Sequence, residues 1–168
     1  KAEAMKPRKD HRFTLHHMGY FDKEMAVEMA ELEIEASVNP YYLWALADKY
    51  SEEGLGPERG ENLVALKLLT DQGVPLSFLS DFSMAPVEPL TLAWTAVNRV
   101  TSQGSEFSQD QRITVFDAMK AITIDAARCL NLENEIGSIK AGKVANFTIL
   151  RENPFKVEPM RIKDIPVT

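Results

Sequence analysis

The sequence predicts an α/β fold built on parallel strands, and three observations carry that expectation. Short apolar strands alternate with segments of helical periodicity through about the first 130 residues. Polar residues fall at the ends of successive strands, as they do where parallel strands converge on one face. Beyond residue 130 the character changes to glycine turns, prolines and short apolar runs.

The elements follow in order. Arg12-Phe13-Thr14-Leu15-His16-His17 is short and weakly alternating, as a buried strand would be. Asp22 stands where an N-cap belongs, ahead of a helix over 23–33 in which Met25, Met29 and Leu32 recur at helical spacing. A second strand over 34–38 ends at Asn39-Pro40, since proline restricts the residue before it and punctuates the turn. Residues 41–49 suit a short helix or an ordered loop. Gly54, Gly56, Pro57 and Gly60 mark 51–60 as a loop.

Leu63, Leu66 and Leu69 predict a helix over 61–72, and Gly73 is its stop. A third apolar strand, 74–79, runs straight into Ser80-Asp81. Pro89 opens a helix over 90–100, because proline suits a first helical turn. Helical pattern resumes over 109–121 and again over 124–130, with Thr123 placed as a cap. Residues 136–150 read as a β-hairpin with glycine turns, and 164–167 as a further strand.

Composition narrows the function. The 168 residues are 45% hydrophobic and 26% charged, which suits a globular chain with a core. A formal net charge of −6 argues against nucleic acid as a partner, and Lys6-Pro7-Arg8-Lys9 reads as a solvated loop. No apolar run approaches the ~18–20 residues that span a bilayer. The first six residues lack the apolar stretch of a signal peptide, and the chain does not open on Met. A single cysteine, Cys129, excludes an internal disulfide framework and suits a reducing, cytoplasmic compartment.

The strand ends carry the chemistry. His16-His17 ends the first strand, Asn39-Pro40-Tyr41-Tyr42 the second and Ser80-Asp81 the third, while Arg59 lies in the loop between the last two. Each has an ordinary reading as well. Histidine pairs sit on surfaces, an Asp after a strand caps a helix or turn, tyrosines pack with a hydroxyl in water, and an arginine is simply exposed. Together they suggest more, because imidazole binds zinc or a similar divalent ion, and a carboxylate binds the metal or takes a proton. Such a site needs roughly three protein ligands, more than these strands offer.

Three stretches resemble the amidohydrolase superfamily, in particular the family 3 amidohydrolases. The first runs from Gly73 through Ser80-Asp81-Phe82 to Pro86-Val87-Glu88-Pro89-Leu90, and is similar to the last barrel strand with its aspartate. The second, Ala118 to Arg128, is similar to a helix pair built around Thr-x-x-Ala-Ala. The third, Ile136-Gly137-Ser138-Ile139-Lys140-Ala141-Gly142-Lys143-Val144-Ala145-Asn146-Phe147, resembles a Gly-Ser-Ile-x-x-Gly-Lys-x-Ala-Asp-Phe signature, with Asn146 in place of the aspartate.

The resemblance implies the C-terminal part of a metal-dependent hydrolase: a (β/α)₈ TIM barrel plus a composite β-sandwich. Residues 1–130 would supply about strands five to eight with their helices, and 131–168 a sandwich segment. An N-terminal barrel segment bearing a His-x-His pair would complete it as a partner, and a homo-oligomer stays open. His17 takes the place of the fifth-strand metal histidine, and His16 that of the usual glutamate before it. Asp81 takes the place of the eighth-strand aspartate, both metal ligand and catalytic group. Tyr42 stands where many members have a histidine, and Leu79 where others do; Tyr42 and Arg59 are the substrate-binding candidates. The implied reaction is hydrolysis of a non-peptide carbon–nitrogen bond, an amide or cyclic amide or urea, in a small molecule. The implied cofactor is a divalent metal, zinc foremost, as one or two ions. A degenerate, non-catalytic amidohydrolase fold acting as a binding protein is the second expectation.

Overall fold

Three short parallel strands form the centre of the molecule, as seen in a computed structural model that describes residues 8–168. Residues 1–7, including Lys6 and Pro7 of the basic cluster, lie outside the described residues. The strands are β1 (Thr14–His17), β2 (Glu35–Val38) and β3 (Leu76–Phe78), side by side in that order. Their register sets His17 beside Val38 and Val38 beside Phe78, so all three run out at the same end. β2, the central strand, and β3, at one edge, are buried at every position, as strands of a helix-covered parallel sheet are. β1 forms the other edge, and Leu15, His16 and His17 on it are exposed.

Helix α1 (Lys23–Glu31) connects β1 to β2. Asp22 caps it, accepting the Met25 amide at 2.9 Å, and the helix buries Ala26 and Met29. Between β2 and β3 come α2 (Tyr41–Lys49), α3 (Pro57–Gly60) and α4 (Leu66–Asp71). Gly73, with φ +70°, ends the last of these in the left-handed conformation that glycine enters without steric cost. After β3 follow α5 (Pro89–Asn98), α6 (Val115–Ala121) and α7 (Ile124–Cys129). The core joins Phe21, Leu43, Leu66, Leu69, Val38 and Leu92, all buried.

Five expectations need correction. The loop over 51–60 is largely helical: the Leu55 amide reaches back to the Tyr50 carbonyl, closing a π-helical turn over Tyr50–Gly54, and Pro57 starts α3. The helix over 61–72 begins only at Leu66, because the carbonyls of Glu61, Leu63 and Val64 accept hydrogen bonds from the Arg99 guanidinium instead of continuing a helix. The helix over 109–121 is interrupted. A 3₁₀ turn spans Gln109–Gln111, Arg112 is extended, and Thr114 accepts the Asp117 amide at 3.1 Å to cap α6. Thr123 occupies the cap position of α7, but its hydroxyl donates back to the Met119 carbonyl at 2.7 Å.

The fifth correction concerns residues 131–168. Neither the hairpin over 136–150 nor the strand over 164–167 forms among the described residues; a single antiparallel bridge pairs Leu150 with Val167. The Lys143 ammonium gathers the Glu133 and Ile136 carbonyls and the Ser138 hydroxyl, which folds the glycine signature into turns. Ile139, Phe147 and Ile149 stay exposed, so an alternating apolar face has nothing to pack against, and an uncovered hairpin is marginal in water. Farther on, the 3₁₀ segment Pro159–Asp164 clamps onto α5. Trp94 Nε1 donates to the Met160 carbonyl, Asn98 Nδ2 to the Pro159 carbonyl, and Lys163 lies 4.1 Å over the Trp94 ring.

Candidate functional site

The parallel register delivers three polar strand ends to one rim. At the end of β1 the chain turns sharply: His17 has φ +74°, and the Met18 amide bonds the His16 carbonyl. At the end of β2, the Asn39 amide bonds the His17 carbonyl at 3.1 Å, tying the two ends together. The buried Asn39 side chain accepts the Tyr41 amide at 3.0 Å, which starts α2 and places Tyr42 in its first turn. Beyond β3, Asp81 has φ +54° and its carbonyl accepts the amides of Met84 and Ala85. A left-handed conformation at a histidine and an aspartate costs free energy that the surrounding turns must offset, and such residues cluster at functional sites.

The result is a compact group of three. His17 Nε2 lies 3.9 Å from Asp81 Oδ2, too far for a direct hydrogen bond and close enough for both to face one small ion or molecule. The side chains are 53% and 41% exposed, so the pair opens to solvent. The Tyr42 ring meets the His17 ring edge-on, with centroids 6.3 Å apart. Burial, and secondarily the Asp81 carboxylate, raise the Tyr42 phenol above its ordinary value, so it remains an O–H donor. Arg59 is elsewhere in character: it is exposed on α3, and among the described residues its guanidinium makes no hydrogen bond or ion pair with the other three.

One imidazole and one carboxylate are donors of the kind a divalent metal takes, and they fit part of such a shell. Among the described residues, no cluster of three or more His, Cys, Asp and Glu surrounds them. The sequence reading brought His17, Tyr42 and Asp81 to notice. It missed Arg99, a buried cation whose guanidinium holds four backbone carbonyls, those of Glu61, Leu63, Val64 and Phe107. Burial pulls this group down to about 10, which leaves it charged at neutral pH. Nothing in the local pattern of Val97-Asn98-Arg99-Val100 separates it from an ordinary surface arginine.

A model of the amidohydrolase family matches residues 1–168. The chain belongs to the amidohydrolase family. Among its relatives, an N-substituted formamide deformylase of Arthrobacter pascens is 30% identical over 158 residues, covering 91% of this chain and 28% of that protein. Protein LONG AFTER FAR-RED 3 of Arabidopsis thaliana is 34% identical over 148 residues, covering 86% and 25%. A metal-dependent hydrolase from Pyrococcus horikoshii superposes with a TM-score of 0.74 at 25% identity, over 87% of this amidohydrolase chain and 30% of that one. The chain therefore spans under a third of the length of each of these three proteins. No helix among the described residues is long and apolar enough to cross a membrane.

Proposed function

We propose that this amidohydrolase chain contributes one rim of a metal-dependent active site that hydrolyses a non-peptide carbon–nitrogen bond in a small molecule. The approach of His17 to Asp81 at the C-terminal strand ends carries the reading. In this reading, the three described strands and their helices are part of a (β/α)₈ barrel and 131–168 belong to a β-sandwich, each completed by a further segment. The exposed edge of β1 and the uncovered Ile139, Phe147 and Ile149 are consistent with such completion.

His17 and Asp81 would hold the cation, with zinc favoured by the imidazole. A bound divalent metal supplies Lewis-acid polarisation of the substrate carbonyl or amidine. Asp81 takes a proton from the attacking water and passes it to the leaving nitrogen, a carboxylate's ordinary role as general base and then acid. Tyr42, kept as an O–H donor, orients the substrate's polar group. Arg59 is a more distant substrate contact, available if a loop carries substrate past α3. The decisive experiment compares amide hydrolysis by the intact, metal-loaded protein with that of Asp81→Asn. A fall of about 10²-fold or more in kcat is expected; unchanged turnover removes Asp81 from the mechanism.

A further inference from the structure

Beside the His17–Asp81 pair lies a second feature that neither the pair nor its chemistry requires. Tyr42 meets the His17 ring and also lines an open recess of about 560 Å³. The recess is lined by Tyr20, Tyr42, Tyr50, Leu46, Leu55 and Leu63, with glycines completing its wall. None of the lining side chains is charged. Three aromatic rings on an uncharged, half-open hollow of this size match the dimensions and chemistry of small-molecule pockets.

The recess is also built. The Gly19 backbone lies against Tyr42 so closely that a Cβ there would stand 3.1 Å from the ring's Cδ2, so glycine sets the ring's position. Tyr20 and Leu63 form an antiparallel bridge, and the Val64 amide bonds the Gly19 carbonyl at 2.9 Å. Behind that wall the buried Arg99 guanidinium holds the Leu63 and Val64 carbonyls. A hollow pinned from behind in this way is present before any ligand arrives, which spares the cost of ordering it on binding.

We propose that this recess is a substrate subsite that takes an uncharged aryl or comparably bulky apolar group, placing the attached amide at His17 and Asp81 across the Tyr42 ring. The substrate class is then N-substituted or aryl-bearing amides, in preference to small or anionic ones. The inference rests on the hydrolase reading for the position of the amide, but not for the binding of the aryl group.

The test measures binding of acetanilide and of acetamide to the intact, metal-loaded protein by NMR titration, alongside hydrolysis of both. Acetanilide should bind at least about tenfold more tightly, as burial of a ring predicts. Tyr50→Ser and Leu46→Gln, two partly exposed positions, should each erase most of that preference. Equal affinity for the two amides, no measurable acetanilide binding, or a preference that survives both substitutions overturns the subsite. Hydrolysis of acetamide with no aryl preference would leave the hydrolase reading standing and remove the recess from it. Aryl preference lost in both variants, with neither amide hydrolysed, supports the recess and counts against the hydrolase reading.

Discussion

His17 and Asp81 approach to 3.9 Å across a stretch of sequence that contains two strands and four helices. The approach is a product of register: β1 pairs with β2 and β2 with β3, so the residues that follow each strand emerge at one rim. If the two side chains share a metal, removing the imidazole should release it. His17→Ala in the intact protein should lose metal by more than the about 10–100-fold typical of a lost outer-shell partner, with circular dichroism unchanged. Elemental analysis after dialysis reads the result. Full metal occupancy in the variant would show that His17 is no ligand, and a wild-type protein that takes up no metal from rich medium would favour the binding-protein reading.

Arg99 offers a prediction about stability rather than chemistry. Arg99 is 1% exposed and its guanidinium holds four carbonyls, so truncation leaves several acceptors buried without a donor. Arg99→Met should destabilise the fold by roughly 3 kcal/mol or more, since hydrogen bonds to charged groups are worth about 1.5–3 kcal/mol each. The urea midpoint should fall accordingly. A midpoint within error of wild type would mean that water replaces the guanidinium without cost, and that residues 61–64 do not depend on it.

These two predictions mark how far the sequence could be read. β1, β2, β3, α1 and α5 were legible because periodicity, Asp22 and Pro89 are local signals, and parallel order follows from helices between strands. The rim positions of His17, Tyr42 and Asp81 were legible for the same reason. What stayed hidden depends on contacts between distant residues. Arg99 diverts the carbonyls of 61–64 from a helix, Lys143 winds the glycine signature into turns, and the aromatic recess draws Tyr20, Tyr42 and Tyr50 from separate elements. No window of local sequence contains those partners.

The far end of the sheet should respond to acid. Arg12 bonds Asp10 and Glu133, while Arg128 bonds Asp10 and the buried Glu35 at 2.8 Å, which ties the chain after α7 to the start of β1 and β2. The Arg12 guanidinium holds the Asp10 and Glu133 carboxyls below their ordinary values of 3.8 and 4.5. A depressed folded-state value means that this stabilisation is complete above the ordinary carboxylate range and is lost as pH falls through the lowered values. Thermal midpoints should therefore drop below about pH 4.5, and Arg12→Gln should flatten that limb by lowering the neutral-pH midpoint toward the acid one, modestly because the pairs are largely exposed. An acid limb equally steep in the variant would assign it to other carboxylates.

Tyr42 gives the sharpest test of how the rim handles protons. Its phenol is raised above 10.0 by burial first and by the Asp81 carboxylate second, so the hydroxyl keeps its proton throughout the neutral and mildly alkaline range. A group that does not titrate there cannot shape the pH profile there. Tyr42→Phe removes one donor while preserving the ring that faces His17 and walls the recess. The loss expected is that of one hydrogen bond, about 1 kcal/mol, or a several-fold fall in kcat/KM. That fall should be the same at every pH below about 10, so that the two profiles run parallel. A variant whose activity matches wild type at neutral pH and departs only in alkali would mean that Tyr42 acts as phenolate, against the direction in which its surroundings push it.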